Sequence, residues 1–138
     1  GRLKDIIIPA GGKNITPAEI ESRLKFSHYI NDAVIIGDKR KYLTALIMID
    51  QENVEKYAQE KKVPFSDFAS LCRAAQVQDL IRQEVEQVNK EFARVEQIKD
   101  FRLIDVLLTA EDEELTPTMK LKRGFVEKRH KPLIDDMY

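Results

Sequence analysis

"AVIIGDKRKYLTALIMID", residues 33–50, holds two apolar runs parted by the charged break Asp-Lys-Arg-Lys. Such runs, rich in β-branched residues and divided by a polar turn, read as a hairpin, with central strands over roughly 32–37 and 42–49. Downstream, Asp50 is positioned to cap a helix over 51–61, on which Val54, Tyr57 and Ala58 share a face. Pro64 ends that region, and Ser66 caps a short helix through Leu71. Val77, Ile81, Val85, Val88 and Phe92 then recur at spacings of four, four, three and four, the mark of an amphipathic helix. "FRLIDVLL" (101–108) reads as a further strand, and "AEDEELTPTMKLKR" (110–123) as an exposed acidic loop with a basic tip. A last helix spans about 122–130, with Pro132 as its stop.

Upstream of the hairpin, the β-branched Ile6, Ile7 and Ile8 read as a buried strand. After the tip Gly11-Gly12-Lys13-Asn14 comes a helix with several start signals. Thr16 is at the N-cap, Pro17 at the first helical position, and Glu19 at the third completes a capping box. Ile15 and Ile20 occupy the two positions of a hydrophobic staple, and Ile20 and Leu24 carry an apolar face to about Phe26. The order strand, helix, two strands, helices, strand, helix predicts an α+β fold, a small β-sheet with a hairpin flanked by helices.

A chain of 138 residues is one domain by size, and 43% hydrophobic with 34% charged residues describes a soluble globular one. A net charge of −1 supplies no field for nucleic acid, and it leaves peripheral membrane association open. The single cysteine, Cys72, excludes an intrachain disulfide framework and fits a reducing, cytoplasmic location. No apolar run of about 18 residues suggests a transmembrane segment, and no signal-peptide pattern opens the chain. The opening Gly1-Arg2-Leu3-Lys4-Asp5 leads straight into an apolar stretch, which reads as a chain cut at a hinge.

Several chemistries are absent. "PAGGKN" (9–14) lacks the spacing and the hydroxyl residue of a phosphate loop. His28 and His130 have no neighbour at metal-ligand spacing and read as surface or interface histidines, with no metal site expected. Cys72 in "SLCRAA" reads as a buried structural thiol, and no serine sits in a nucleophile elbow. The acidic run 111–114 is most simply a solvated loop. Two places remain: the glycine tip, and Lys120 in "LTPTMKLKR". From 118 to 131 there are six Lys or Arg (120, 122, 123, 128, 129, 131) against one acid, Glu127. A lysine on such a tip can enter a pocket formed elsewhere and suits a phosphate or a developing negative charge.

These residues also match a family. "GRLKDIIIPAGGKNITPAEIE" (1–21) resembles the opening of the C-terminal domain of adenylate-forming enzymes: acyl-CoA synthetases, firefly-type luciferases and peptide-synthetase adenylation domains. The resemblance extends to Lys120, at the place of that family's catalytic lysine, and so covers essentially the whole chain. Met119 stands where short-chain members carry a glycine. A helical segment of roughly 50 residues separates the hairpin from Phe101, and "LTPTMKLKR" and "PLIDDMY" (132–138) look like long-chain fatty acid–CoA ligases.

The resemblance implies a lid domain that rotates over a large N-terminal domain not included here, which would hold ATP, Mg2+ and the acyl tunnel. ATP and a fatty acid give an acyl-adenylate, and the thiol of coenzyme A then displaces AMP. On this resemblance Lys120 is catalytic, bridging carboxylate and α-phosphate. Lys4 is the hinge, and Arg2 contacts the nucleotide. Gly11, Gly12 and Lys13 border the pantetheine channel, Lys13 toward a coenzyme A phosphate, while Asn14 stabilises the turn. The domain alone is expected to be inactive. Two other readings stand beside this one: a stand-alone module binding an acidic partner through its 118–131 face, and the same domain from another adenylate-forming ligase, such as one acting on aryl acids.

Overall fold

The computed structural model describes residues 6–108, 111–116 and 120–138. Its centre is a three-stranded sheet in the order β1-β2-β3, with β1 at Ile30–Ile36, β2 at Leu43–Ile49 and β3 at Ile98–Leu103. The expected hairpin is present: β1 and β2 pair antiparallel, with Val34 opposite Leu46. Only β2 is central, however, and every one of its residues is buried. β3 lies parallel to β2, Ala45 opposite Phe101. A parallel neighbour cannot be reached by a tight turn. That is the work of the long connection through α2 (Gln51–Glu60), α3 (Phe68–Arg73) and α4 (Ala75–Asn89).

Alternate residues of the strands feed two cores. Ala33, Ile35, Ala45, Ile47, Phe101 and Leu103 face the larger one, closed by α2 to α4 and by α1 (Pro17–Leu24). Val34, Ile36, Leu46 and Met48 face a smaller one with Ile104, Leu121, Val126 and Ile134. That second layer consists of α5 (Arg123–Arg129) and α6 (Lys131–Asp135). The pairing slips between Ile30 and Asp32. An extra residue at such a bulge shifts the period-two alternation. Ile30 therefore joins the larger core beside Ala33 and Ile35, although an even-numbered residue would otherwise share the face of Val34.

As an edge strand, β1 leaves one row of backbone groups without a strand partner, and buried groups of this kind must find others. Side chains supply them. The Ile35 N–H donates to Glu21 Oε2 at 2.9 Å, the Ala33 N–H to Asp32 Oδ1 at 2.8 Å, and Arg123 donates to the Ile35 carbonyl. Arg123 also pairs with Glu21 at 2.5 Å, so α1, β1 and α5 meet at one buried ion pair. At the C-terminal end Tyr138 stacks on Tyr42 with ring centroids 4.8 Å apart and donates to the Tyr42 carbonyl at 2.8 Å.

Several expectations need correction. Residues 6–8 form no buried strand: Ile7 makes one bridge to Ile15, while Ile6 and Ile8 are exposed. With a single pairing partner the segment cannot bury both faces, so alternate side chains meet solvent. Thr16 holds the N-cap position of α1 without a side-chain cap bond, and Pro17 begins the helix. The capping box forms instead on α3, where the cap is Asp67 rather than Ser66: Asp67 Oδ1 accepts from the Ser70 N–H, and Ser70 Oγ from the Asp67 N–H. The strand expected over 101–108 runs from Ile98 to Leu103, because pairing with β2 fixes its extent. Phe92 lies beyond the end of α4, half-buried against the core. Pro132 does not stop the last helix outright. α5 ends at Arg129 and Pro132 sits in the first turn of α6, where its missing N–H costs nothing. Asp50 caps α2 as expected, accepting from the Asn53 N–H at 3.0 Å.

Candidate functional site

Lys120 stands next to the antiparallel bridge between Leu115 and Leu121. The Thr116 N–H donates to the Lys120 carbonyl at 2.8 Å, and the Lys120 N–H to Thr116 Oγ1 at 3.1 Å. Below it, the Lys122 N–H donates to the Glu114 carbonyl at 2.7 Å, and the Leu121 N–H to the buried Asp32 Oδ2 at 2.7 Å. Leu115 and Leu121 are buried and anchor the bridge to the smaller core. The Lys120 side chain is exposed, and among the described residues its ammonium has no ion-pair partner. A fixed backbone thus carries a free cation. Met119, by contrast, lies outside the described residues, as do Arg2 and the hinge candidate Lys4.

The rest of the basic segment is largely engaged within the domain. Arg123 pairs with Glu21, Arg129 lies 3.4 Å from Glu114, and Lys131 lies 3.8 Å from Asp135. Lys122 sits over the Phe125 ring at 5.5 Å. Three of the six cations counted along 118–131 are thus paired with acids inside the domain, which lowers the charge open to an acidic partner. Two sequence expectations also change. Glu114 is buried rather than solvated, and His130 is its partner, with Nε2 at 2.8 Å from Glu114 Oε2. His28 contributes its carbonyl to Asn53 Nδ2 at 2.8 Å. Among the described residues no group of three or more His, Cys, Asp or Glu could hold a metal ion. Cys72 is buried, as expected, and desolvation pushes its thiol up to about 12, with the charge of Asp105 adding to the rise.

The glycine tip is tied to the β1–β2 turn. The Ala10 N–H donates to the Arg40 carbonyl at 2.8 Å, the Lys39 N–H to the Ile8 carbonyl at 2.9 Å, and the Gly12 N–H to the Pro9 carbonyl at 2.9 Å, closing a turn over 9–12. Gly12 has φ +85°, so its lack of Cβ serves that turn. At both glycines no atom beyond the chain neighbours lies within 4 Å of where a Cβ would be, but Gly11 has no positive φ, so among the described residues nothing excludes a side chain at Gly11. Beside it opens a recess of about 260 Å³ lined by Pro9, Gly11, Lys13, Tyr42, Arg94 and Lys99 among others, with Lys41 on its rim. Lys13, Lys41, Arg94 and Lys99 are exposed, and among the described residues none of them forms an ion pair. Four unpaired cations around one recess suit a polyanion. Lys13 was legible in the sequence beside the glycines; Lys41, Arg94 and Lys99 come from three separate stretches, and only the sheet gathers them. A larger recess of about 760 Å³ between α1 and Phe92 pairs Arg23 with Glu91 and offers no such charge excess.

These two features lie at opposite ends of the sheet. Asp32, under the Lys120 bridge, pairs with Met48 at the far end of β2. Tyr42 and the start of β3 line the recess at the near end, where Leu43 meets Ile98. The six residue steps from Tyr42 to Met48 span about 20 Å.

Residues 4–138 match the model of the AMP-binding enzyme C-terminal domain, and the chain belongs to that family. Over its full length it is 38% identical to the long-chain-fatty-acid–CoA ligase FadD15 of Mycobacterium tuberculosis, of which it covers 23%. It is 31% identical, again over its full length, to the long-chain-fatty-acid–CoA ligase ACSBG1 of Homo sapiens, covering 22% of that protein. The chain thus spans less than a quarter of the length of these curated relatives. Its fold is also similar to that of a part, 19% of the chain, of the crystallised adenylation domain of a carboxylate reductase from Mycobacterium chelonae, with a TM-score of 0.72 and 23% identity over 98% of this chain. The expected small sheet with flanking helices is the architecture of the C-terminal domains of adenylate-forming enzymes.

Proposed function

We propose that the chain is the rotating C-terminal lid of a long-chain fatty acid–CoA ligase, serving acyl-adenylate formation with one end and thioester formation with the other. The observation that carries this reading is the separation of the Lys120 bridge from the glycine-edged basic recess. One docked pose cannot bring both ends of a sheet to the same reacting carboxyl. A reaction in two steps, with a turn of the domain between them, uses both.

In the first step the fatty acid carboxylate attacks the α-phosphate of ATP and pyrophosphate leaves. The Lys120 ammonium faces the charge that builds between carboxylate and phosphate. Opposite charges about 4 Å apart interact by roughly 4 kcal/mol at an effective dielectric near 20. In the second step the coenzyme A thiol adds to the acyl carbon and AMP leaves. Gly11 gives the pantetheine arm a backbone edge without a side chain, and Lys13, with Lys41, Arg94 and Lys99, meets the phosphates of coenzyme A. ATP would arrive with Mg2+, which neutralises phosphate charge; in this reading the larger N-terminal domain of the same polypeptide holds both, together with the acyl tail. Arg2 contacts the nucleotide and Lys4 is the hinge.

The test is ATP-dependent pyrophosphate release by the full-length protein across a panel of carboxylic acids. Release with long-chain fatty acids is the expected result. Release confined to aryl or short acids would retain the adenylating role and reject the long-chain substrate. No release with any acid would reject the proposed activity.

A further inference from the structure

Asp32 is an acidic residue buried in β1, 1% exposed, next to the run Ala33 to Ile36. Burying a carboxylate is costly unless its oxygens are matched. Here Oδ1 accepts the Ala33 N–H at 2.8 Å and lies 3.9 Å from Lys25 Nζ, while Oδ2 accepts the Leu121 N–H at 2.7 Å. That last bond crosses 89 residues of sequence to the amide that follows Lys120. Oδ2 thus reaches the bridge from the sheet side, and Thr116 Oγ1 accepts the Lys120 N–H from across the bridge. Regular alternation from Val34 and Ile36 places Asp32 on the face of the smaller core, where Leu121 is packed.

We infer that Asp32 is a positioning residue for Lys120: its carboxylate, seconded by the Thr116 hydroxyl, clamps the backbone on both sides of the lysine and so fixes to the sheet the point from which the side chain reaches out. The inference rests on the reading of Lys120 as the cation of the adenylation step. A charged-group bond to a backbone amide is stronger than a neutral one, and an asparagine cannot replace it. Each oxygen of Asp32 faces an N–H, so the amide NH2 of asparagine would oppose one of them. Misplacement of a catalytic group by about 1 Å can cost around a hundredfold in rate.

The test measures the half-reactions separately in the full-length enzyme: pyrophosphate release from ATP and fatty acid, and coenzyme A-dependent consumption of a supplied acyl-adenylate. Asp32→Asn should slow the first by about ten- to a hundredfold and leave the second at the wild-type rate. Thr116→Val, at the rim of the bridge where folding is not at stake, should act in the same direction by a smaller factor. In the Lys120→Ala background Asp32→Asn should cost adenylation nothing more, since a clamp with no lysine to hold has no further effect. Equal slowing of both half-reactions, unchanged adenylation, or a full additional loss in the double variant would overturn the proposal. Should Asp32→Asn fail to fold, Thr116→Val decides alone, and unchanged adenylation in it overturns the clamp. Normal adenylation in Lys120→Ala alone would instead remove the reading underneath. A loss in Lys120→Ala without one in Asp32→Asn removes only the role of Asp32.

Discussion

At the scale of single residues, exposure and bonding separate groups that the sequence presents alike. Lys120 and Arg123 belong to one basic run, yet Lys120 is exposed while Arg123 is bound to Glu21 and the Ile35 carbonyl. Loss of one preorganised electrostatic donor typically costs about 10²–10³-fold in rate. Lys120→Ala in the full-length enzyme should therefore impair pyrophosphate release by that order and spare consumption of a supplied acyl-adenylate. The glycines divide in the same manner. Gly12 needs its φ of +85°, so a larger residue there strains the turn whatever the ligand. Gly11 has open space, which makes it the cleaner probe. Gly11→Leu should raise the apparent KM for coenzyme A and leave adenylation intact; normal coenzyme A kinetics would count against the channel. Cys72, with its thiol pushed up to about 12 from an ordinary value of 9.0, stays protonated when folded. Between those limits the unfolded chain loses a proton that the folded chain keeps, so stability falls as pH rises, by at most about 1.4 kcal/mol per unit. Urea midpoints taken across that alkaline range should decline, and they should decline less in Cys72→Ala.

Elements are held together by polar side chains that apolar periodicity does not reveal. Helix α1 is bound to the sheet by Ile20 and Leu24, as its pattern predicts, and also by Glu21, which reaches β1 and α5. Removing one partner of a buried pair leaves an uncompensated charge, a loss of about 3–5 kcal/mol. Arg123→Met should lower the unfolding free energy by that amount, whereas replacing Arg129, a largely exposed cation, should cost about 1 kcal/mol or less. A urea titration comparing the two variants checks this, and equal small losses would deny the α1–β1–α5 junction its weight. The caps make the same point: Asp50 acts where the pattern put it, while α3 begins one residue later than expected because Asp67 and Ser70 satisfy each other's amides.

For the whole molecule, the prediction concerns movement. If the sheet's two ends serve successive steps, locking the swivel should separate them. Proline fixes φ near −65°, so Lys4→Pro in the full-length protein should retain one half-reaction and lose the other; both steps intact would reject the hinge. Residues 1–138 expressed alone should release no pyrophosphate, because the relatives that carry the ligase name are more than four times as long. The α+β class, the hairpin, the capped α2, the amphipathic α4 and the candidate lysine and glycines were all legible along the chain. Each of these depends on neighbours a few residues apart, where periodicity, turn composition and local motifs act. The parallel partner of β2, the exposure of Ile6 and Ile8, the burial of Glu114 and Asp32, and the meeting of Lys41, Arg94 and Lys99 were decided only by tertiary structure. They rest on pairings between residues far apart in sequence, and no local pattern records which distant backbone group a buried carboxylate will satisfy.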